Sequence, residues 1–293
     1  MKSVLHVAGC QFAIDGDVDF NLKQILAQIR EAAQRGARIV HFPEAALCGY
    51  PGIDMPDFSR LDWDHLRQAT EAVCMAAAEW RVWVLLGSAH RLTGSHRPHN
   101  SVYVINDQGK VVERYDKRFC TGTCVGDPGM DLTNYTPGNH TTVFTVDGYR
   151  CSSLICYDYR FPELYRDLKR NGVEVLFQSF HNARYGDKLA AERQIQKEIV
   201  PATIMCHAAT NHLWISATNS TAVHSMWASF FVRPDGKITG RLEVETPGVL
   251  ISEVDPGLNL WDAAGQWRER AMHGQLYSGE LVDDPRSADR TAY

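Results

Sequence analysis

The chain has no excess of positive charge and no basic stripe: 30 Lys and Arg are outnumbered by 35 Asp and Glu, giving a formal charge of -5, with the two signs mixed along its length. That distribution argues against nucleic acid or an anionic membrane as a partner, because both need clustered cations. Cysteine is sparse, 8 in 293 residues, in a chain long enough to bury a large core without staples, which fits a reducing compartment such as the cytoplasm. Only Cys120 and Cys124 stand close together, and with no second such pair a four-ligand zinc site is not expected, nor any other metal. The N-terminal MKSVLHVAGCQF turns polar before reaching the apolar length of a signal peptide and reads as a first strand. Residues 199–232 lack Asp, Glu, Lys and Arg altogether, yet carry Pro201, His207, Asn211, His212, Asn219 and His224, which suits a deep interior or an interface and not a lipid-facing helix.

What is present is an alternation of strand and helix patterns. Residues 4–13 favour a strand; residues 20–34 place Leu22, Ile25, Leu26, Ile29 and Ala33 on one helical face, ended by Gly36; residues 38–42 form the next strand. HFPEAALCGYP follows, with Pro43 and Glu44 suited to the first turn of a helix. A helix over residues 62–81, capped by Asp62 or Asp64, leads to a buried strand at 82–87. Three hairpins are expected, 100–105 with 110–116, 141–146 with 149–155, and 227–232 with 237–242, each around a turn dipeptide. Helices at 161–171 and 187–207, with strands at 173–178, 213–218 and 249–254, complete a layered α/β sandwich of two mixed sheets with helices outside. Residues 1–258 form the expected domain; residues 259–293, polar but for Trp261 and Trp267, form an extension lying on the body or on a partner subunit.

The stretch YRCSSLICYDYRFPE, residues 149–163, organises the rest. An apolar strand stops at Cys156, and Phe161, Pro162 and Glu163 open a helix, so the cysteine sits on a strand-to-helix elbow that lifts its sulfur off the sheet edge. The positive end of that helix is expected to favour thiolate over thiol. Glu44 and Lys117 also fall at carboxyl ends of strands, the edge where layered α/β folds bind ligands. A carboxylate can take the thiol proton and later pass it to a leaving amine, a thiolate can attack carbon, and an ammonium can stabilise the oxyanion. Taken singly, each has a plain structural role available: a packed strand cysteine, a helix-dipole partner, a solvated strand-end charge.

These segments, HFPEAALCGYP around Glu44, YDKRF around Lys117 and LICYDYRFPELYRDL around Cys156, resemble in order and spacing the signatures of the nitrilase or carbon-nitrogen hydrolase superfamily, and the resemblance runs from about residue 3 to residue 255. It implies a four-layer α-β-β-α sandwich, a homodimer or higher homo-oligomer stacked across its layers, and a Glu44-Lys117-Cys156 triad needing no metal or organic cofactor. It further implies a thioester intermediate, with the Tyr157 backbone N–H assisting Lys117. Where many members carry a second glutamate, DLTNYTPG offers the shorter Asp131, after an insertion in the loop from Lys117. His207 and Thr210 stand where charged residues are common, and SFHNARYGD supplies Phe180, His181, Asn182 and Tyr185 to the segment that lines the pocket.

Tyr50, Tyr157, Phe180 and Tyr185 would form an aromatic wall, with His181 and Asn182 as neutral polar contacts, which favours a small neutral or aromatic amide unless Arg91, Arg97 or Arg118 turns inward. The leading expectation is an amidase on a small amide. Alternatives are an N-carbamoyl amidohydrolase, a true nitrilase, a papain-like pairing of Cys156 with His181, and an inactive relative acting in binding or assembly, with Asp131 as the sign of decay.

Overall fold

The structure, a computed structural model, describes residues 2–121, 129–184, 186–291 and 293. Tyr185 and Cys124 lie outside the described residues.

The first half builds one sheet and its helical cover. Strand β1 (Leu5–Gln11) is followed by helix α1 (Val18–Gln34), whose Asp17 cap accepts from the amides of Asp19 and Phe20 at 2.9 and 3.2 Å. Ile25, Ile29 and Ala32 recur at helical spacing and are buried, and Leu22, Leu26 and Ala33 pack beside them. Then come β2 (Ile39–His41), α2 (Trp63–Trp80, capped by Asp62), β3 (Trp83–His90), β4 (His99–Ile105) and β5 (Val111–Asp116).

The second half repeats the plan. After α3 (Gly129–Asn134) come β6 (Phe144–Val146), β7 (Tyr149–Ile155), α4 (Pro162–Arg170) and β8 (Val175–Ser179). Helices α5 (Asp187–Glu192) and α6 (Gln196–Asn211) precede β9 (Trp214–Thr218), β10 (Phe230–Val232), β11 (Ile238–Arg241) and β12 (Gly248–Val254), and α7 (Gly265–Met272) lies in the C-terminal extension.

Both six-stranded sheets are mixed, and both read the same way across: antiparallel, parallel, parallel, antiparallel, antiparallel, in the orders β12-β1-β2-β3-β4-β5 and β6-β7-β8-β9-β10-β11. Strand alternation sends Val7, Ile39 and Leu85 toward the other sheet and Ala8, Val40 and Val84 toward α1 and α2. Helices α4 and α6 cover the second sheet through Leu164, Leu168, Val200 and Ile204. The result is the expected four-layer α-β-β-α sandwich. The sheets are also joined by polar groups: buried His41 reaches Ser216 through Nδ1 at 3.0 Å and Ser179 through Nε2 at 2.9 Å, and burial pushes its pKa down to about 3, so it is neutral.

Two expected helices differ. Glu44 to Cys48 form turns, not a helix, because Ala45 adopts a left-handed φ of 56° that no helix continues. The helix expected over 187–207 is broken by turns at 193–195 and runs on to Asn211, with Pro201 inside its second turn, where the ring removes one i→i−4 hydrogen bond. The charge-free stretch is interior in part, with Val200, Ile204, Ala208 and β9 buried, while Ile199, Met205 and Cys206 on α6 face outward. The extension is pinned by Arg268, which is buried and donates from Nε to the Thr210 carbonyl at 2.9 Å. Beyond it, Leu276, Leu281 and Val282 are exposed.

Candidate active site

Three chain segments meet at the carboxyl edge of the two sheets. Glu44 follows β2 in a turn that sits on Gly87 of β3; a Cβ there would stand 2.0 Å from the Pro43 carbonyl oxygen, so only glycine admits the turn. The Glu44 carboxylate is fully buried. Its Oε1 accepts from Lys117 Nζ at 2.9 Å and from Asn100 Nδ2 at 2.7 Å, and its Oε2 accepts from the His181 amide at 2.9 Å. Lys117 follows β5, its own amide tied to the Asn100 carbonyl at 2.8 Å.

On the far side, Lys117 Nζ donates to Asp131 Oδ2 at 2.7 Å. Asp131 is also held by the Thr121 amide at 2.9 Å and by a short hydrogen bond from the Tyr50 hydroxyl. The shorter side chain therefore reaches, because α3 brings its backbone in. Burial pulls the Lys117 pKa down, but the Asp131 and Glu44 carboxylates outweigh it and hold the ammonium well above the ordinary lysine range. Asp131 responds in the opposite sense: burial pushes its pKa up, and Lys117 brings it below the usual carboxylate value.

Cys156 stands on the expected elbow, but β7 runs first into a 3-10 turn, Cys156–Arg160, and only then into α4. Its φ of 40° is left-handed, a strained setting for a side chain with a Cβ and one common at active sites. Asp158 clamps this turn, accepting from the Ile155 amide at 3.0 Å, the Phe119 amide at 2.9 Å and the Tyr115 hydroxyl at 2.8 Å. His207, stacked on Tyr165 with ring centroids 3.7 Å apart, supports it from α6 through the Tyr159 carbonyl at 3.0 Å. The expectation of a resting thiolate fails: burial, then the Glu44 carboxylate, pushes the Cys156 pKa well above that of an ordinary thiol, and Lys117 opposes them only in part. A 3-10 turn this short brings too little dipole to reverse that.

A cavity of about 610 Å³ opens over these groups. It is lined by Lys117 and Cys156 and by the expected contacts Tyr50, Tyr157, Phe180, His181 and Asn182, while the expected Tyr185 lies outside the described residues; Glu44 and Asp131 lie beneath it, behind Lys117. Tyr159, Arg160, Arg184, Arg193, Gln196 and Trp227 also line it. Of these, sequence reading reaches only Arg184, which lies within the quoted pocket segment SFHNARYGD. It had missed Asn100 and Asp54 as well, although Asp54 follows Tyr50 within one turn motif and so sat beside a recognised contact. Arg91, Arg97 and Arg118 do not turn inward: Arg91 lies over the Trp63 ring, Arg97 bonds the Leu132 carbonyl and Arg118 the Thr141 hydroxyl.

His181 is not a partner of Cys156. Its Nε2 meets Asp54 Oδ2 at 2.8 Å, and Asp54 also accepts from the Tyr50 amide and from Arg184 Nε, each at 2.8 Å. Burial lowers the His181 pKa, yet Asp54 outweighs it and raises the value above that of free histidine. The neutral histidine expected here thus faces a buried carboxylate that favours its charged form, and the described residues show no papain-like pairing with Cys156. Among the described residues no cluster of three or more His, Cys, Asp or Glu could hold a metal ion, and no helix is long and apolar enough to cross a membrane.

The profile of the family described as carbon-nitrogen hydrolase matches residues 6–262. The chain belongs to that family. It is accordingly a carbon-nitrogen hydrolase. Among its relatives, a protein of Mus musculus named deaminated glutathione amidase is 29% identical over 265 residues, spanning 85% of this chain and 77% of its own. The chloroplastic omega-amidase of Arabidopsis thaliana is 24% identical over 294 residues, 96% of this chain and 75% of its own. The crystal structure of an amidase from Nesterenkonia sp. shares the fold with a TM-score of 0.74 at 20% identity, covering 93% of this chain and 96% of that one.

Proposed function

We propose that this carbon-nitrogen hydrolase is an amidase whose catalytic groups are Cys156, Glu44 and Lys117, with Asp131 holding Lys117 in place. The observation that carries this reading is a buried carboxylate bonded at 2.9 Å to a buried ammonium that shares one cavity wall with a cysteine whose thiol that carboxylate holds toward the protonated form. A protonated thiol needs a base at the moment of attack, and Glu44 is the carboxylate whose charge acts on it most, ahead of Asp131.

In the first half-reaction Glu44 takes the thiol proton as sulfur attacks the amide carbon. The oxyanion is met by the Lys117 ammonium and the Tyr157 N–H, Glu44 returns the proton to nitrogen, and ammonia leaves a thioester on Cys156. In the second, Glu44 deprotonates water, the water attacks the thioester carbon, and the carboxylic acid is released with the proton restored to sulfur. The intact ion pair of Lys117 with Asp131, at 2.7 Å, speaks against Asp131 as a mark of lost activity.

Intact-protein mass after brief exposure to small amides, carbamoyl compounds and nitriles tests the reading. An acyl increment on the wild type, greatly reduced on Glu44→Gln and absent from Cys156→Ala, is expected; ammonia release surviving in Cys156→Ala would sink it. We further propose that the chain works as a homodimer or higher homo-oligomer in a reducing compartment such as the cytoplasm. Support comes from the exposed apolar side chains Ile195 (61%) and Ile199 (43%) beside and on α6, and from described cysteines that are all free thiols.

A further inference from the structure

Asp54 is a buried carboxylate to which the reaction as derived gives no part. Its side chain has no solvent exposure, and neither has that of His181, which it meets at 2.8 Å. A carboxylate so placed is costly unless its partners repay the lost hydration. Closing the turn after Tyr50 does not require it, because the amides of Ile53 and Asp54 already reach the Tyr50 carbonyl at 3.1 and 2.8 Å. What the carboxylate adds is a join between segments. Its Oδ2 accepts from the Tyr50 amide at 2.8 Å and meets His181 Nε2, while its Oδ1 accepts from Arg184 Nε at 2.8 Å. Arg184 in turn donates to the Ile14 carbonyl at 2.8 Å and to Asp15 at 2.9 Å, which ties the group to the segment after β1.

Two of these partners lead straight to the groups around Lys117. His181 donates its amide to Glu44 Oε2 at 2.9 Å, and the Glu44 amide donates back to the Phe180 carbonyl at 3.3 Å. Tyr50 holds Asp131 through its hydroxyl, and its ring packs on that of His181 with centroids 5.1 Å apart. Glu44 and Asp131 grip Lys117 from opposite sides, at 2.9 and 2.7 Å. Resting on the amidase reading above, we propose that Asp54, acting through His181, is a positioning residue for the general base. By pinning His181 it fixes the amide that orients the Glu44 carboxylate, and by pinning Tyr50 it keeps Asp131 in register with it. A misplacement of about 1 Å at such a base costs on the order of a hundredfold in rate, which is the scale of effect the clamp can exert.

Two rates test it, each read well below the unfolding midpoint of the variant concerned: ammonia release from propionamide, and alkylation of Cys156 by iodoacetamide followed by peptide mass. In Asp54→Asn and His181→Ala both rates should fall together by about tenfold to a hundredfold, with KM within about threefold of the wild type. His181→Gln keeps a donor toward Asp54 and should recover part of the loss; it and the isosteric Asp54→Asn carry the test if His181→Ala does not fold. Added to Glu44→Gln, Asp54→Asn should slow alkylation no further, because its effect runs through a base already removed, whereas a merely structural role would subtract again. Wild-type rates in Asp54→Asn, a loss confined to KM, or a full additional loss in the double variant overturns the inference while leaving the amidase reading in place. Alkylation that Glu44→Gln itself does not slow removes the base, and both readings with it. If propionamide is not turned over, the alkylation rates decide alone.

Discussion

At the scale of single residues, Cys156 is a thiol at rest, because burial and the Glu44 carboxylate raise its pKa. The difference in ultraviolet thiolate absorbance between wild type and Cys156→Ala should show no step between about pH 6 and pH 9, the window in which a free thiol ionises. A step near neutrality would mean a preformed ion pair and remove the need for a base. Asp131 acts through Lys117. Asp131→Asn should lower kcat by up to about a hundredfold with little change in KM, and should move the basic limb of the pH-rate profile downward as the ammonium loses one carboxylate. An unshifted limb would reduce Asp131 to packing. Glu44, Lys117 and Cys156 were legible because each ends a strand and each has a chemistry of its own. Asn100 and Asp54 were not, since their roles exist only where distant segments converge: Asn100 reaches a carboxylate 56 positions away, and Asp54 a histidine 127 away.

Among elements, the turn carrying Glu44 depends on what lies beneath it. Gly87→Ala would force a methyl group against the Pro43 carbonyl, costing on the order of 1–3 kcal/mol and moving Glu44 off Lys117. Thermal unfolding and kcat should fall together, and a variant with native stability but no activity would show the turn to be more yielding than its packing implies. The His181–Asp54 pair joins the segment after β8 to the turn after Tyr50. His181 has a folded pKa above its free value of about 6.5, so its contribution is full below that pH and is lost as pH rises through the raised value. Asp54, lowered, contributes at all pH above the ordinary carboxylate range. The stability lost in His181→Gln, read from urea midpoints, should therefore be larger at about pH 6 than at about pH 9; an equal loss would mean a neutral ring. Strand and hairpin positions were readable from alternation and turn dipeptides. The turn at 44–48 was not, because the left-handed Ala45 is imposed by the sheet below it and leaves no trace in local composition.

For the whole molecule, the proposed assembly predicts a sedimentation coefficient above that of a 32.9 kDa monomer, reduced by Ile195→Glu together with Ile199→Glu. Monomeric wild type would retire the proposal. The layered class was visible in the sequence as strand-helix alternation, whereas the identical pairing order of the two sheets was not, since it depends on partners far apart in the chain. One pairing has a consequence in time. The first strand completes its ladder with the last, Leu5 opposite Val254 and Gln11 opposite Gly248. During synthesis, β1 leaves the ribosome long before β12 exists, so one edge of the first sheet stays open until nearly the whole domain has been translated. The nascent chain is then both most prone to aggregate and unable to finish the sheet that carries Glu44 and Lys117, so hydrolysis has to wait until β12 has emerged.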